Sequence, residues 1–130
     1  MVRSRRGFTL FELLVVVVVI GILAAIAIAK YVNTKEKAYV AAMKSDLRNL
    51  AVAEEAFFYD SAAFTGSVSS LTLLRRYEPS SGVTVVINEA TPKGWSATAS
   101  HVQTPRQCYY FWGTAAPVGN AAVEGRITCS

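Results

Sequence analysis

Residues 13–29 read LLVVVVVIGILAAIAIA, a stretch with no charge and little that is polar. A run of this length and composition is about what a helix needs to cross a bilayer. Phe8-Thr9-Leu10-Phe11 leads directly into it. Such a segment cannot be folded away inside a domain this small. Whatever soluble core the chain forms must come from the roughly one hundred residues that remain, enough for one compact unit.

The charge follows the same division. The formal net charge is +4, a balance that on its own invites a nucleic-acid reading. Its position argues otherwise: Arg3, Arg5 and Arg6 all precede the apolar run. Without those three the basic residues, 13 in all, nearly balance the 9 acidic ones. Basic residues ahead of an apolar span hold that end in the cytoplasm and send the other side out. The C-terminal part is therefore expected in a periplasm or the medium. Both cysteines, Cys108 and Cys129, lie on that outward side. In an oxidising compartment an isolated pair favours a disulfide over a metal site, since zinc needs more ligands and His101 is the sole histidine. Free thiols are the alternative.

The opening heptapeptide MVRSRRG is short and basic. An ordinary secretory signal is cut after its apolar run at small residues, and AAIAIA at 24–29 could mimic such a site. Against that rival reading, the chain runs on into strongly helical sequence without a break. Residues 31–60 contain no Gly or Pro and are rich in Ala, Lys, Glu and Leu. Met43, Leu47, Leu50, Glu54, Phe57 and Phe58 recur at helical spacing. Leu47, Leu50 and Phe57 make an apolar stripe flanked by Ala38, Ala42 and Ala53. Lys44, Asp46, Arg48, Asn49 and Glu55 are expected on the wet side. Residues 8–60 as one helix would extend roughly 80 Å. A membrane anchor followed by a separate helix is the plainer alternative.

Residues 61–82 read as a connecting loop, with LTLLRRY able to form a short helical turn and EPSSG a turn signal. Strand-like runs follow at VTVVIN (83–88), WSATASH (95–101), CYYFW (108–112) and RITC (126–129). Pro92-Lys93-Gly94, Thr104-Pro105 and Pro117-Val118-Gly119-Asn120 separate them. The expected fold class is α+β: a long N-terminal helix, apolar over residues 8–30 and amphipathic over 31–60, packed on a small antiparallel sheet of about four strands within 83–130.

No catalytic residues and no cofactor are expected. His101 has no second base or nucleophile at motif spacing, and there is no phosphate-binding glycine loop, HExxH or CxxC. Asp46, Glu54, Glu55 and Asp60 could be arranged as metal ligands, but a solvated helix face explains them better. The aromatic cluster Tyr109, Tyr110, Phe111 and Trp112 offers stacking surface for DNA or glycans. Alternation along a strand sends about half of it to the core. Arg75, Arg76 and Lys93 are a weak candidate DNA patch. Glu12 is the odd residue, because an ionisable group in a membrane segment is a functional-site hypothesis by default. Its plain alternative is to reach the headgroups from near the end of the span.

RRGFTLFELLVVVVVIGILAAIAI, residues 5–28, resembles the class III signal of type IV prepilins and pseudopilins over nearly its whole length. The resemblance implies cleavage by a prepilin peptidase between Gly7 and Phe8, removing residues 1–7, and N-methylation of Phe8. It gives Glu12, with Thr9, a part in assembly, Glu12 attracting the N-terminal amine of a neighbouring subunit. A carboxylate and an ammonium in a low-dielectric core each relieve the other's desolvation. Ala29 stands where many members carry a kinking proline, and Phe11 where isoleucine is commoner. Gly21 remains as a point of local helix flexibility, since glycine costs about 1 kcal/mol relative to alanine.

More weakly, residues 44–58, 94–101, 108–113 and 125–129 are similar to the helix, sheet and disulfide-bounded end of small type IVa-type major pilins. The implied function is a structural subunit of a pilus filament serving adhesion, motility or DNA uptake. Its partners would be copies of itself, the prepilin peptidase, an inner-membrane platform protein and an assembly ATPase. It would sit in the inner membrane before assembly and in an extracellular filament afterwards. The alternatives are a type II secretion pseudopilin, whose best-known major forms usually lack the disulfide, and a minor pilin binding DNA or a surface.

Overall fold

The computed structural model describes residues 7–130, so the expected leader lies outside the described residues except for Gly7. Helix α1 runs from Leu10 to Ser61, and a short α2 spans Val68–Leu73. Strands β1 (Val83–Thr91), β2 (Gly94–His101), β3 (Thr104–Gly113) and β4 (Thr128–Cys129) follow. They form one antiparallel sheet in the order β1-β2-β3-β4. The architecture is α+β. The chain divides into two compact units, one ending at Lys35 and the other Glu36–Ser130.

In the first unit the apolar turns of α1 stand exposed, and none of its most apolar 18-residue stretch is buried. This is one helix long and apolar enough to cross a membrane. Gly21 is helical with open space where a side chain would stand.

The second unit holds the core. Met43, Leu47, Leu50 and Ala53 of α1 pack with Leu71, Tyr77, Val83, Val85, Trp95, Ala97, Ala99, Cys108 and Tyr110. The strand contributions follow from register. Val85 pairs with Ala99 and Ala99 with Cys108, while Ile87 pairs with Ala97 and Ala97 with Tyr110. Side chains two apart share a face, so these rows make one continuous apolar surface. The alanines of the central strand leave room for the larger side chains of the helix. Ser96 and Phe111 pair on the opposite face, where both are buried, and the return segment 114–127 adds buried Ala115 and Ala121.

Three local expectations need correction. Residues 61–82 are not all loop: Ser67 caps α2 by accepting the N–H of Ser70. Thr104-Pro105 opens β3 rather than separating strands. The register shift between Ser100 and His101 leaves Pro105 without a ladder partner, so its missing N–H breaks no bond. Asp46, expected on the wet face of α1, is only 1% exposed.

Candidate assembly site

Gly7, Phe8 and Thr9 are exposed and precede the helix. Thr9 occupies the N-cap position. Its Oγ1 accepts the N–H of Glu12 at 3.2 Å, and the Thr9 N–H donates to Glu12 Oε2 at 2.9 Å. The Thr9 hydroxyl donates to the same Oε2 at 2.8 Å. This is a capping box, in which two helix-end donors are satisfied reciprocally. A carboxylate in the first turn also complements the positive end of the helix dipole. The T-x-x-E spacing of Thr9 and Glu12 encodes it, a use of Glu12 distinct from pairing with a neighbouring chain or reaching the headgroups. Glu12 thus has two donors from its own residue 9, and these disperse its charge without cancelling it.

Two further carboxylates on α1 act at the other unit. Asp46 accepts the Ser80 N–H at 2.8 Å and the Ser80 hydroxyl at 2.7 Å, one on each oxygen. Glu54, fully buried, accepts the Thr65 N–H at 2.9 Å. Its other oxygen, Oε1, is buried with no hydrogen-bond partner among the described residues. Desolvation raises the Glu54 carboxyl to about 7, the Thr65 bond opposing it. The Tyr77 phenol is raised too, by burial first and then by the Asp46 charge. Asp60 pairs with Arg76 at the surface. The segment linking α1 to the sheet is therefore pinned at Thr65, Arg76 and Ser80. Nothing in the spacing of these acids distinguishes them from a solvated face; only the path of the later segment gives them partners.

The remaining candidates fall into place individually. Cys108 and Cys129 are joined by a disulfide across paired strands β3 and β4. His101 stacks on Tyr39 at 4.3 Å between centroids, and its Nδ1 accepts the Gln103 N–H. Packing accounts for both its ring and that nitrogen. Arg75 and Arg76 line one cleft with Glu78, whereas Lys93 lines a different one. Among the described residues no three His, Cys, Asp or Glu side chains are grouped to hold a metal. Within the aromatic run, Tyr110 and Phe111 are buried on opposite faces while Trp112 stays 46% exposed.

Residues 2–28 match the family model of the prokaryotic N-terminal methylation motif. The chain is 35% identical over 72 residues to type II secretion system core protein G of Pseudomonas aeruginosa, covering 55% of this chain and 51% of that protein. It is 45% identical over 53 residues to the type IV major pilin protein PilA of Myxococcus xanthus, covering 41% of this chain but 24% of the relative. A longer match, 28% over 99 residues and 76% of each chain, is to the type IV wide pilus major component PilA4 of Thermus thermophilus. The chain thus spans about half or less of the length of the first two relatives, with the longer alignment at lower identity. The chain therefore carries the prokaryotic N-terminal methylation motif and is similar, over part of its length, to type IV pilus major components and to a type II secretion system core protein.

Proposed function

We propose that this chain is the structural subunit of a type IV pilus-like filament, cleaved between Gly7 and Phe8, methylated on Phe8, and anchored in the inner membrane by α1 before assembly. One observation carries the reading: the apolar turns of α1 are exposed over the whole of the most apolar stretch, with a single carboxylate, Glu12, at their start. Such a surface is at rest only in lipid or against other apolar surfaces. Repeated head-to-tail contact between copies of this helix covers it and, because the contact does not close, extends into a fibre.

Glu12 then does two things in sequence. In the free subunit its carboxylate caps its own helix through Thr9. In the fibre it meets the ammonium that cleavage creates on Phe8 of a neighbour, and that pairing sets the register between subunits. The exposed, non-helical placement of Gly7 and Phe8 supports access for a peptidase. The platform protein and assembly ATPase belong to this reading as its machinery, and the domain of residues 36–130 would face outward.

Similarity to core protein G supports a second reading, a pseudopilin in a secretion filament. Shearing the cells and taking the intact mass of the subunit in the released filaments separates the two. A mass that begins at Phe8, one methyl heavier and two hydrogens lighter, is the expected result for the pilus. Processed chain found solely in the envelope fraction overturns it in favour of the pseudopilin, and a full-length mass overturns both. Glu12→Ala should leave processing intact and abolish filaments; normal filament yield would remove the role given to Glu12.

A further inference from the structure

The second unit contains a cleft that the filament reading does not use. Ala51, Glu55 and Phe58 line one wall, at i, i+4 and i+7 on a single face of α1. Phe64 of the connecting segment stacks on Phe58 at 4.7 Å. Trp95 and Trp112 are cross-strand partners, and Tyr110 lies two pairs along on the same face, its ring 4.9 Å from that of Trp95. Pro92 and Lys93, from the turn between β1 and β2, close the rim of a cavity of about 410 Å³. That volume is in the range of small-molecule sites, which are apolar with a few convergent polar groups.

The end of the cleft is held firmly. Gly113, at φ 64°, donates its N–H to Glu124 Oε1, and a side chain on it would collide with the Lys93 carbonyl. Gly94 approaches the Trp112 carbonyl too closely for any Cβ. Gly125 lies against the Trp112 ring, where a Cβ would come within 3.1 Å of Cζ3. The backbone on both sides of Lys93 and Trp112 is thereby preset, which lowers the ordering cost of any ligand they contact.

From this we infer that the cleft is a binding site for a short neutral saccharide, the pyranose faces resting on the exposed rings of Trp112 and Phe58 and the hydroxyls meeting Glu55 and Lys93. The charges select among the ligands that aromatic walls could hold. A polyanion such as single-stranded DNA would stack equally well but would bring its phosphates to the Glu55 carboxylate. A cation would suit the rings but meets the Lys93 ammonium already there. A sugar has axial C–H faces for the rings and hydroxyls that both donate to a carboxylate and accept from an ammonium. The Tyr110 phenol, pushed up by burial first and then by Glu55 and Glu124, stays a neutral donor.

The lining lies wholly within the unit Glu36–Ser130, so this inference stands apart from the filament reading and each can fail alone. The test uses the processed full chain in a detergent without a sugar headgroup. Lactose, cellobiose, maltose and N-acetyllactosamine are titrated while tryptophan fluorescence and saturation-transfer NMR are followed; oligo-deoxythymidylate and choline serve as controls. A saturable response to at least one of the sugars is expected, weakened about tenfold in Trp112→Ala, equivalent to about 1.4 kcal/mol. Glu55→Gln, an exposed isosteric change, should also weaken it with unchanged circular dichroism. The inference is overturned by no saturable response to any of the sugars, by equal binding in both variants, or by preference for the oligonucleotide or choline. It is overturned equally if dilution alone releases tryptophan quenching through Trp112, which would make a second copy of the chain the occupant.

Discussion

The two halves of α1 are the same secondary structure built for different surroundings. The first half has apolar side chains all round and buries none of them within the chain. The second half is one-sided, and its apolar stripe of Met43, Leu47, Leu50 and Ala53 is sealed under the sheet. Their acids differ in the same way. Glu12 obtains its hydrogen bonds from Thr9, within the same turn. Asp46 and Glu54 obtain theirs from Ser80 and Thr65, more distant in sequence. A helix half with no apolar surface buried by the rest of the chain must satisfy its polar groups locally, because no other segment supplies a partner. A helix that stays docked can rely on the segment docked onto it.

This contrast can be broken most forcefully with paired truncations. Leu50→Ala should cost the unit of residues 36–130 about 2–5 kcal/mol, since it opens a cavity in a closed core. Ile20→Ala, an equal loss of apolar surface, should leave the thermal transition of the detergent-solubilised subunit unmoved. Equal shifts from the two variants would mean that the first half is not independent of the domain.

The Glu54 carboxyl sharpens the comparison through pH. Its folded-state value, about 7, lies above the ordinary carboxyl value of 4.5. The contribution is therefore fully present below about 4.5, and is lost as pH rises through 7. The associated free energy is on the order of 3 kcal/mol. Melting in detergent should show stability falling across that window, and Glu54→Gln, which keeps the acceptor for the Thr65 N–H, should flatten the profile. A wild-type profile that is already flat would show that the group is charged and solvated.

Smaller effects are expected at the two carboxylate anchors of contrasting kind. Asp46→Ala strips the Ser80 N–H and hydroxyl of their acceptor and should cost about 1–3 kcal/mol. Protease cleavage near residues 74–82 should increase with it. Thr9→Ala removes the N-cap oxygen and the hydroxyl bond to Glu12, and should cost the helix about 1 kcal/mol, visible as lost helicity in circular dichroism of a peptide covering the first turns. If Thr9→Ala also destabilises the domain of residues 36–130, the halves communicate more than this comparison allows.

Much of the fold was legible because its signals are local. Seventeen-odd apolar residues in a row, a Gly- and Pro-free helical stretch and β-branched or aromatic runs between turn residues each specify their element with little outside help. β1 to β3 are longer than their sequence runs, Glu89, Ala90 and Thr91 joining β1 through pairing with Ser96, Trp95 and Gly94 rather than through their own propensity, whereas β4 keeps only Thr128 and Cys129 of the RITC run. At the site, Glu12 stood out since a lone charge beside an apolar run is conspicuous. Asp46 and Glu54 did not, because an acid on an amphipathic helix looks alike whether water or a backbone N–H receives it.

The sequence by itself determined where the chain can meet lipid, where the helix lies, and which N-terminal residues form its cap, since these depend on composition and on spacings of a few residues. Only the tertiary structure decided that Glu54 is buried beside Thr65, that Asp46 holds Ser80, and that aromatic residues from helix, connecting segment, hairpin and strand converge on one cleft. Such groupings arise when segments far apart in the chain share a small volume, and a packing energy of that kind belongs to the pairs of segments rather than to any one of them.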